Sequence, residues 1–187
     1  RLYASILFPS NPWDRYNAGY AFTWGKGGNN NSKTGYNFRK LADPVYSAVE
    51  FDGAQDFQVI RYAEILLAYA EAKNEATGPD ATIYAALDDI RDRSGMPAVD
   101  QATYNTKDKL RQLIRAERRI ELAGEGQRFQ DIRRWSIADA VMKDTYDITN
   151  NIVQKRFWDA KFIKMPYPQS AVDHNSNLKS AQGAKGY

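Results

Sequence analysis

Cysteine is absent from this sequence and histidine occurs once, and both facts exclude kinds of site. Without cysteine the chain forms no disulfide and has no thiolate metal ligand, and the composition leaves the redox compartment open. The single histidine, His174, lies in a polar tail, and one histidine without cysteine argues against a zinc site. Neither a G-x-S-x-G motif nor a phosphate-binding G-x-x-x-x-G-K-[ST] loop occurs, so we predict no hydrolase triad and no nucleotide site.

Long apolar runs are also missing, and none approaches the roughly 18 residues that a membrane helix requires. The chain begins at Arg1, with neither an initiator methionine nor a signal peptide, so we expect it to be a fragment of a longer protein.

Charge of one sign does not dominate, because 26 Lys and Arg face 23 Asp and Glu. The densest basic run, residues 111–134, is interrupted by acidic residues, and we interpret it as ion-paired rather than as a nucleic-acid surface. The spacings of Asp89 with Arg93 and of Asp88 with Arg91 predict surface pairs on a helix. No two carboxylates stand out as the acid–base couple of a glycosidase, so we predict no catalytic residue, cofactor or metal.

Three regions differ in character along the chain. Residues 1–55 are an irregular segment rich in aromatic residues, Gly and Asn; residues 56–135 are predicted to be helical; residues 136–187 are a mixed segment with an extended tail. In that last region, residues 153–164 predict one or two short strands.

The central region predicts three helices and a shorter helical turn at residues 128–135. Asp56, Asp80 and Thr106 are the predicted N-caps, and Gly78-Pro79 and Gly124 are among the predicted stops. Apolar positions at helical spacing predict the buried faces: Ile60, Ala63, Leu67 and Ala70; Ile83, Leu87 and Ile90; Leu110, Leu113, Ile114, Ile120 and Leu122. The first two helices form a hairpin of the length of a tetratricopeptide unit, and such units require about three stacked copies, so we expect further copies upstream of Arg1.

The charged segment around residues 115–134 is the sharpest local feature. Arg111, Arg115 and Arg118 fall on one helical stripe, where they repel one another unless a neighbouring helix supplies carboxylates such as Glu64 and Glu71. We therefore predict a structural ion-pair network rather than a ligand site. Its predicted members are Glu64, Arg115, Glu117, Arg118, Glu121, Arg128, Asp131 and Arg134.

Aromatic residues recur in the loop-like stretch 13–24 beside Asn, Asp and Arg. Sugar rings stack on aromatic faces while polar side chains bond their hydroxyls. The alternative is that these rings anchor the loop to the helices, which is the commoner use of aromatic side chains, and the residues alone leave both open. The candidate ligand-binding positions are Trp13, Tyr16, Tyr20 and Trp24.

Five segments resemble the C-terminal part of the SusD/RagB family, in the family's order. SKTGYNFRKLADP (32–44), VIRYAEILLAYAEAKNEA (59–76) and ALDDIRDRSGMP (86–97) are similar to its K-x-G-Y, R-Y-A-E and R-x-R-A-G segments. IRAERRIELAGEGQRFQDIRRW (114–135) is similar to its long E-R-R-x-E-L signature. PYPQSAVDHNSNLKSAQGAKGY (166–187) resembles its ending, although it departs at the prolines and at the final Gln-Asn.

The resemblance implies a mainly α fold: tetratricopeptide-like hairpins with long loops and minor β-structure, here the C-terminal part of a larger SusD-like fold. It also implies a nutrient-uptake lipoprotein of polysaccharide utilization in Bacteroidetes, anchored on the extracellular face of the outer membrane, although the lipidated cysteine is not in this sequence. Such a protein binds an oligosaccharide or polysaccharide and delivers it to a SusC-like TonB-dependent transporter. It implies no enzymatic activity. The alternative role is a peptide-binding or protein-interaction scaffold in the same import complex.

Overall fold

The computed structural model describes residues 1–11, 32–42, 56 and 58–187. It divides the chain into two compact units, Arg1–Arg128 (unit 1) and Phe129–Tyr187 (unit 2). Most of the described secondary structure is helical, which confirms the predicted fold class. No helix in the described ranges has the length and apolar character needed to cross a bilayer.

Unit 1 begins with a single helical turn and a minimal strand pair. Ile6 lies opposite Phe38 and Leu7 opposite Asn37 in this antiparallel pair. Three longer helices follow, and a fourth begins in unit 1 and runs across the boundary. The elements are α1 (Leu2–Ser5), β1 (Ile6–Leu7), β2 (Asn37–Phe38), α2 (Tyr62–Thr77), α3 (Ala81–Arg93), α4 (Lys107–Glu121) and α5 (Gln127–Arg134).

Helices α2, α3 and α4 enclose the core of unit 1, and α2 packs against both of the others. Leu67 of α2, Leu87 of α3 and Leu110 of α4 are completely buried. Burial of each such side chain contributes roughly 1.5–3 kcal/mol. The antiparallel α2–α3 pair turns at Gly78, whose φ of 83° is a conformation that glycine adopts without strain.

The predicted N-caps of α3 and α4 are confirmed. An oxygen of Asp80 accepts a hydrogen bond from the backbone N–H of Thr82 at 2.8 Å. The hydroxyl of Thr106 accepts one from the N–H of Lys109 at 3.4 Å. Both contacts are local in sequence, which is why the pattern alone identified them.

The predicted start of α2 at Asp56 is wrong, because the helix begins at Tyr62 with Arg61 as its N-cap residue. Arg61 is held in an extended conformation, and Ile60, predicted to be buried, is 70% exposed. Ile120, also predicted as core, is 48% exposed near the end of α4. The other core positions predicted for this segment are buried: Leu110, Leu113, Ile114 and Leu122.

Unit 2 contains short elements and few buried apolar side chains. Its strands pair antiparallel, with Thr145 opposite Gln154. Residues 153–164, predicted to form one or two strands, contain the end of one strand and then a 3₁₀ turn. The elements wholly in unit 2 are α6 (Ala138–Val141), β3 (Thr145–Tyr146), β4 (Ile152–Gln154), the 3₁₀ turn (Ala160–Ile163), α7 (Gln169–His174) and α8 (Asn177–Gly183).

The tail was predicted to be extended, and this is wrong. It folds into α7 and α8, with Val172 buried at 6% exposure. The backbone N–H of Tyr167 donates to the side-chain oxygen of Gln182 at 2.7 Å, which ties the start of the tail to α8. The predicted division at residues 55 and 135 follows sequence character and stays a prediction.

Candidate functional site

Three glutamates follow one another at four-residue spacing along α4 and just beyond it: Glu117, Glu121 and Glu125, here called the carboxylate row. Glu117 and Glu121 are buried, at 5% and 6% exposure. A buried carboxylate requires compensating cations or donors, because removal from water costs several kcal/mol per ion. Each member of the row receives cations from other elements of unit 1.

Arg61 connects the start of α2 to the end of α4. Its Nη1 donates to Oε1 of Glu121 at 2.8 Å, and its Nε donates to Oε2 of Glu125 at 2.7 Å. Its Nη2 donates to the backbone carbonyl of Glu121 at 2.7 Å, one of the carbonyls that a helix leaves without an internal partner. One guanidinium therefore pairs two carboxylates and caps a helix C-terminus.

The remaining cations also pair with the glutamates of the row. Arg93 of α3 donates to Oε1 of Glu121 at 2.5 Å. Lys40 donates to the carbonyl of Glu121 at 2.6 Å and also pairs with Glu125. Glu117 accepts from two arginines that lie far apart in the sequence, Arg1 and Arg91.

These contacts shift the titration of Glu125 and Arg61. Burial of Glu125 acts to raise its pKa, but hydrogen bonds from Arg61 and Lys40 outweigh burial and hold the pKa below its ordinary value. Burial of Arg61 acts to lower its pKa, and the hydrogen bonds to Glu125 and Glu121 reverse that effect and raise it. An ionised Glu125 paired with two cations is a poor proton donor, which disfavours a general-acid role for it.

The structure places the other predicted network residues as follows. Arg118 lies 3.7 Å from Glu64. Arg134 lies 2.8 Å from Asp131 within α5, and Asp131 is buried at 2% exposure. Arg115, on α4, and Arg128, at the start of α5, are half-buried.

Sequence reasoning missed most of the partners. It paired the arginines of α4 with carboxylates of α2, whereas the row pairs glutamates of α4 with cations from elsewhere: Arg1, Lys40, Arg61, Arg91 and Arg93.

Two smaller expectations on ion pairs also failed. The pairs Asp88–Arg91 and Asp89–Arg93 are wrong, because Arg91 and Arg93 pair with the carboxylate row and Asp88 accepts from the N–H of Val99 at 2.7 Å. Arg111 of α4 pairs with Glu75 of α2. The sequence signal that could have identified two of the row's partners was the Arg-x-Arg spacing of Arg91 and Arg93 at the end of α3.

An open cleft of about 970 Å³ lies in unit 1 beside the carboxylate row. Arg61, Arg93 and Glu121 form part of its wall, so much of the wall's charge is already used in ion pairs. The other residues that line the cleft are both apolar and polar. They include the apolar or aromatic Leu41, Tyr62, Ala63, Leu66, Ile90 and Ile120, and the polar Gln58, Asp89, Asp92 and Ser94.

The cleft combines an aromatic ring with acceptors. Tyr62 is 71% exposed, and in the part of the chain that the structure describes Asp89 and Asp92 carry no ion pair. An exposed ring beside free carboxylates suits a ligand with apolar C–H faces and hydroxyl donors. Among the described residues no cluster of three or more metal-ligating side chains occurs.

The predicted aromatic candidates Trp13, Tyr16, Tyr20 and Trp24 lie outside the described residues. His174 lies at the exposed end of α7, with Nδ1 2.6 Å from the carbonyl oxygen of Ser170.

Comparison with known proteins gives consistent results. The SusD family matches residues 1–187. SusD-like protein P38 of Formosa agariphila is 33% identical over 122 residues, which cover 62% of this chain and 24% of that protein. SusD-like protein P2 of the same organism is 29% identical over 133 residues, covering 68% of this chain and 25% of that protein.

A crystal structure of a SusD-like protein from Bacteroides fragilis NCTC 9343 is similar in fold, with a TM-score of 0.67 and 34% identity. The match covers 78% of this chain and 30% of the solved one. The chain thus spans about a quarter of the length of the curated relatives. With the family matched along all 187 residues and a solved relative sharing the fold, the chain belongs to the SusD family.

Proposed function

We propose that this chain is part of a cell-surface glycan-binding subunit that captures oligosaccharides and delivers them to a SusC-like TonB-dependent transporter. Proteins of the SusD family are generally glycan-binding partners of such transporters, and they are generally outer-membrane lipoproteins. The family is one of binding proteins and is not known as enzymatic.

The observation that carries the proposal is the cleft of unit 1. Tyr62 supplies a ring on which a sugar stacks, while Asp89 and Asp92 accept hydrogen bonds from hydroxyls. Trp13, Tyr16, Tyr20 and Trp24 are proposed as further stacking positions. The residues predicted as an ion-pair network are proposed to act as scaffold, because several of them hold the helices that form the cleft wall.

Calorimetric titration of the chain with a panel of neutral oligosaccharides tests the proposal. The expected result is saturable binding to at least one glycan and about tenfold weaker binding by Tyr62→Ala, which corresponds to roughly 1.4 kcal/mol. Tyr69→Ala is the matched control, since Tyr69 lies two turns along α2 and does not line the cleft. Absence of binding to every glycan, or equal losses in the two variants, would contradict the proposal.

A second candidate function is a protein-interaction scaffold of the same import complex, and the outer face of α2 favours it. Tyr62, Ile65 and Tyr69 are exposed by 71%, 52% and 43% and lie on one side of the helix. The opposite side, with Ala63, Leu67 and Ala70, is buried against α3 and α4. An apolar stripe of this kind suits an amphipathic peptide or a partner helix.

Co-expression with a SusC-like transporter separates the two functions. The scaffold predicts that Ile65→Ala weakens co-purification with the transporter while glycan affinity stays unchanged. Glycan capture alone predicts that Ile65→Ala changes neither measurement, because Ile65 does not line the cleft.

A further inference from the structure

A short segment of unit 2 concentrates aromatic and basic side chains around its 3₁₀ turn. Residues 155–164 contain four cations and a single carboxylate. We call the following residues the basic aromatic patch: Lys155, Arg156, Phe157, Trp158, Lys161, Phe162 and Lys164.

Phe162 is the centre of the patch. Phe157 and Trp158 contact it edge-on, with centroid distances of 6.0 and 5.7 Å and interplanar angles of 81° and 82°. Phe157 is 74% exposed although it contacts Phe162, and phenylalanine side chains are more often buried. The cluster holds an aromatic surface out to solvent instead of burying it.

The cations of the patch are not consumed by ion pairs. In the described ranges, Lys155, Arg156 and Lys164 carry no salt bridge. Asp159, the one carboxylate of the segment, accepts from the backbone N–H of Lys161 at 3.0 Å. Asp144 reaches the backbone N–H of Arg156 at 3.0 Å rather than its guanidinium.

Lys161 lies among the rings. Its Nζ is 5.8 Å from the Phe162 centroid and 5.3 Å from the Tyr187 centroid. These distances are within the range of cation–π attraction, which orders the lysine without neutralising it. Positive charge therefore stays available beside an exposed ring.

From this arrangement we infer that the basic aromatic patch binds anionic polysaccharide, with a sugar face on Phe157 and a carboxylate or sulfate group on Lys155, Arg156 or Lys164. The inference rests on the proposed function, since it takes the occupant to be a glycan. The patch differs from the cleft, where arginines are already paired and the free groups are acceptors. Charge complementarity thus assigns neutral glycan to the cleft and anionic glycan to the patch.

A pair of polymers with the same sugar backbone, one anionic and one neutral, tests this inference: polygalacturonate and its fully methyl-esterified form. The expected results are binding of polygalacturonate, at least tenfold weaker binding of the esterified polymer, and weaker binding as NaCl rises from 50 to 300 mM. The double variant K155Q/K164Q loses about tenfold, and F157A loses about fivefold, in affinity for polygalacturonate.

The control variant K109Q/K179Q removes the same charge at exposed lysines outside the patch and leaves the affinity within twofold. Equal binding of the two polymers, or equal losses in control and patch variants, overturns the inference. Binding to vesicles of phosphatidylglycerol without binding to polygalacturonate also overturns it, in favour of an anionic lipid surface.

The neutral-glycan titration distinguishes failure of the inference from failure of the proposed function. Binding of neutral glycan through Tyr62 together with no response to polygalacturonate rejects the patch alone. No binding to any glycan rejects both.

Discussion

Unit 1 and unit 2 use their large side chains differently. Unit 1 buries leucines and isoleucines from three helices and also buries two carboxylates of the carboxylate row. Unit 2 buries three apolar side chains, Trp135, Ala138 and Val172, and exposes Phe129, Phe157 and Met165 by more than half. The difference follows the spacing of apolar residues, which is helical over long segments in unit 1 and interrupted over short segments in unit 2. Substitutions in unit 1 should therefore act mainly on stability, and substitutions at the exposed rings of unit 2 mainly on binding.

The largest effect expected in unit 1 is at its core. Leu67→Ala removes a completely buried side chain and should lower the free energy of unfolding by about 2–5 kcal/mol, measured by urea denaturation. Ile65→Ala, two residues away on the exposed side of the same helix, should change it by less than about 1 kcal/mol. Equal effects would mean that α2 has no distinct core face.

A smaller loss is expected in the carboxylate row. Glu121→Gln leaves Arg61 and Arg93 facing a neutral, buried partner and should lower the unfolding free energy by about 2–3 kcal/mol. The control is Glu75→Gln, which removes a carboxylate that is 40% exposed and paired with Arg111, and which should cost less than about 1 kcal/mol. If the two variants were equally stable, the carboxylate row would contribute no more to the unfolding free energy than the exposed pair of Glu75 and Arg111.

The pH dependence of stability gives a further, more gradual effect. Because the pKa of Glu125 is lowered in the folded chain, its contribution is fully present above its ordinary value near 4.5 and is lost as pH falls through the folded pKa. Unfolding free energies between pH 3 and 7 should fall less steeply below pH 4.5 for Glu125→Gln than for the unchanged chain. Parallel curves would show that Glu125 gains nothing from its pairs with Arg61 and Lys40.

The smallest expected effect is in unit 2. Phe157→Ala removes a ring that is 74% exposed and should change the unfolding free energy by less than about 0.5 kcal/mol. Trp135→Ala, at a ring that is 9% exposed, should cost about 3–5 kcal/mol and serves as the contrast. A large loss on replacing Phe157 would indicate a structural ring instead of a binding surface.

Whether a feature could be predicted from the sequence depended on how far apart in the sequence the interacting residues lie. The caps at Asp80 and Thr106 and the core positions of α3 were predicted because they depend on neighbours within four residues. The start of α2 was not predicted, because Arg61 is fixed by Glu121 and Glu125, about 60 residues away. For the same reason the partners of the carboxylate row were missed, although Glu117 and Glu121 were predicted as members of an ion-pair network. Helix formation in the tail was missed because its tie, from Tyr167 to Gln182, is also non-local.

The triple contact of Arg61 has a consequence for ligand binding. A long side chain that becomes ordered when a ligand arrives costs about 0.5–1.5 kcal/mol in lost rotamer freedom. Arg61, which lines the cleft, is already fixed by Glu121 and Glu125, so this entropy is lost on folding rather than on binding. The part of the cleft wall that Arg61 forms is in this sense preorganised. A ligand that contacts Arg61 does not have to order this side chain.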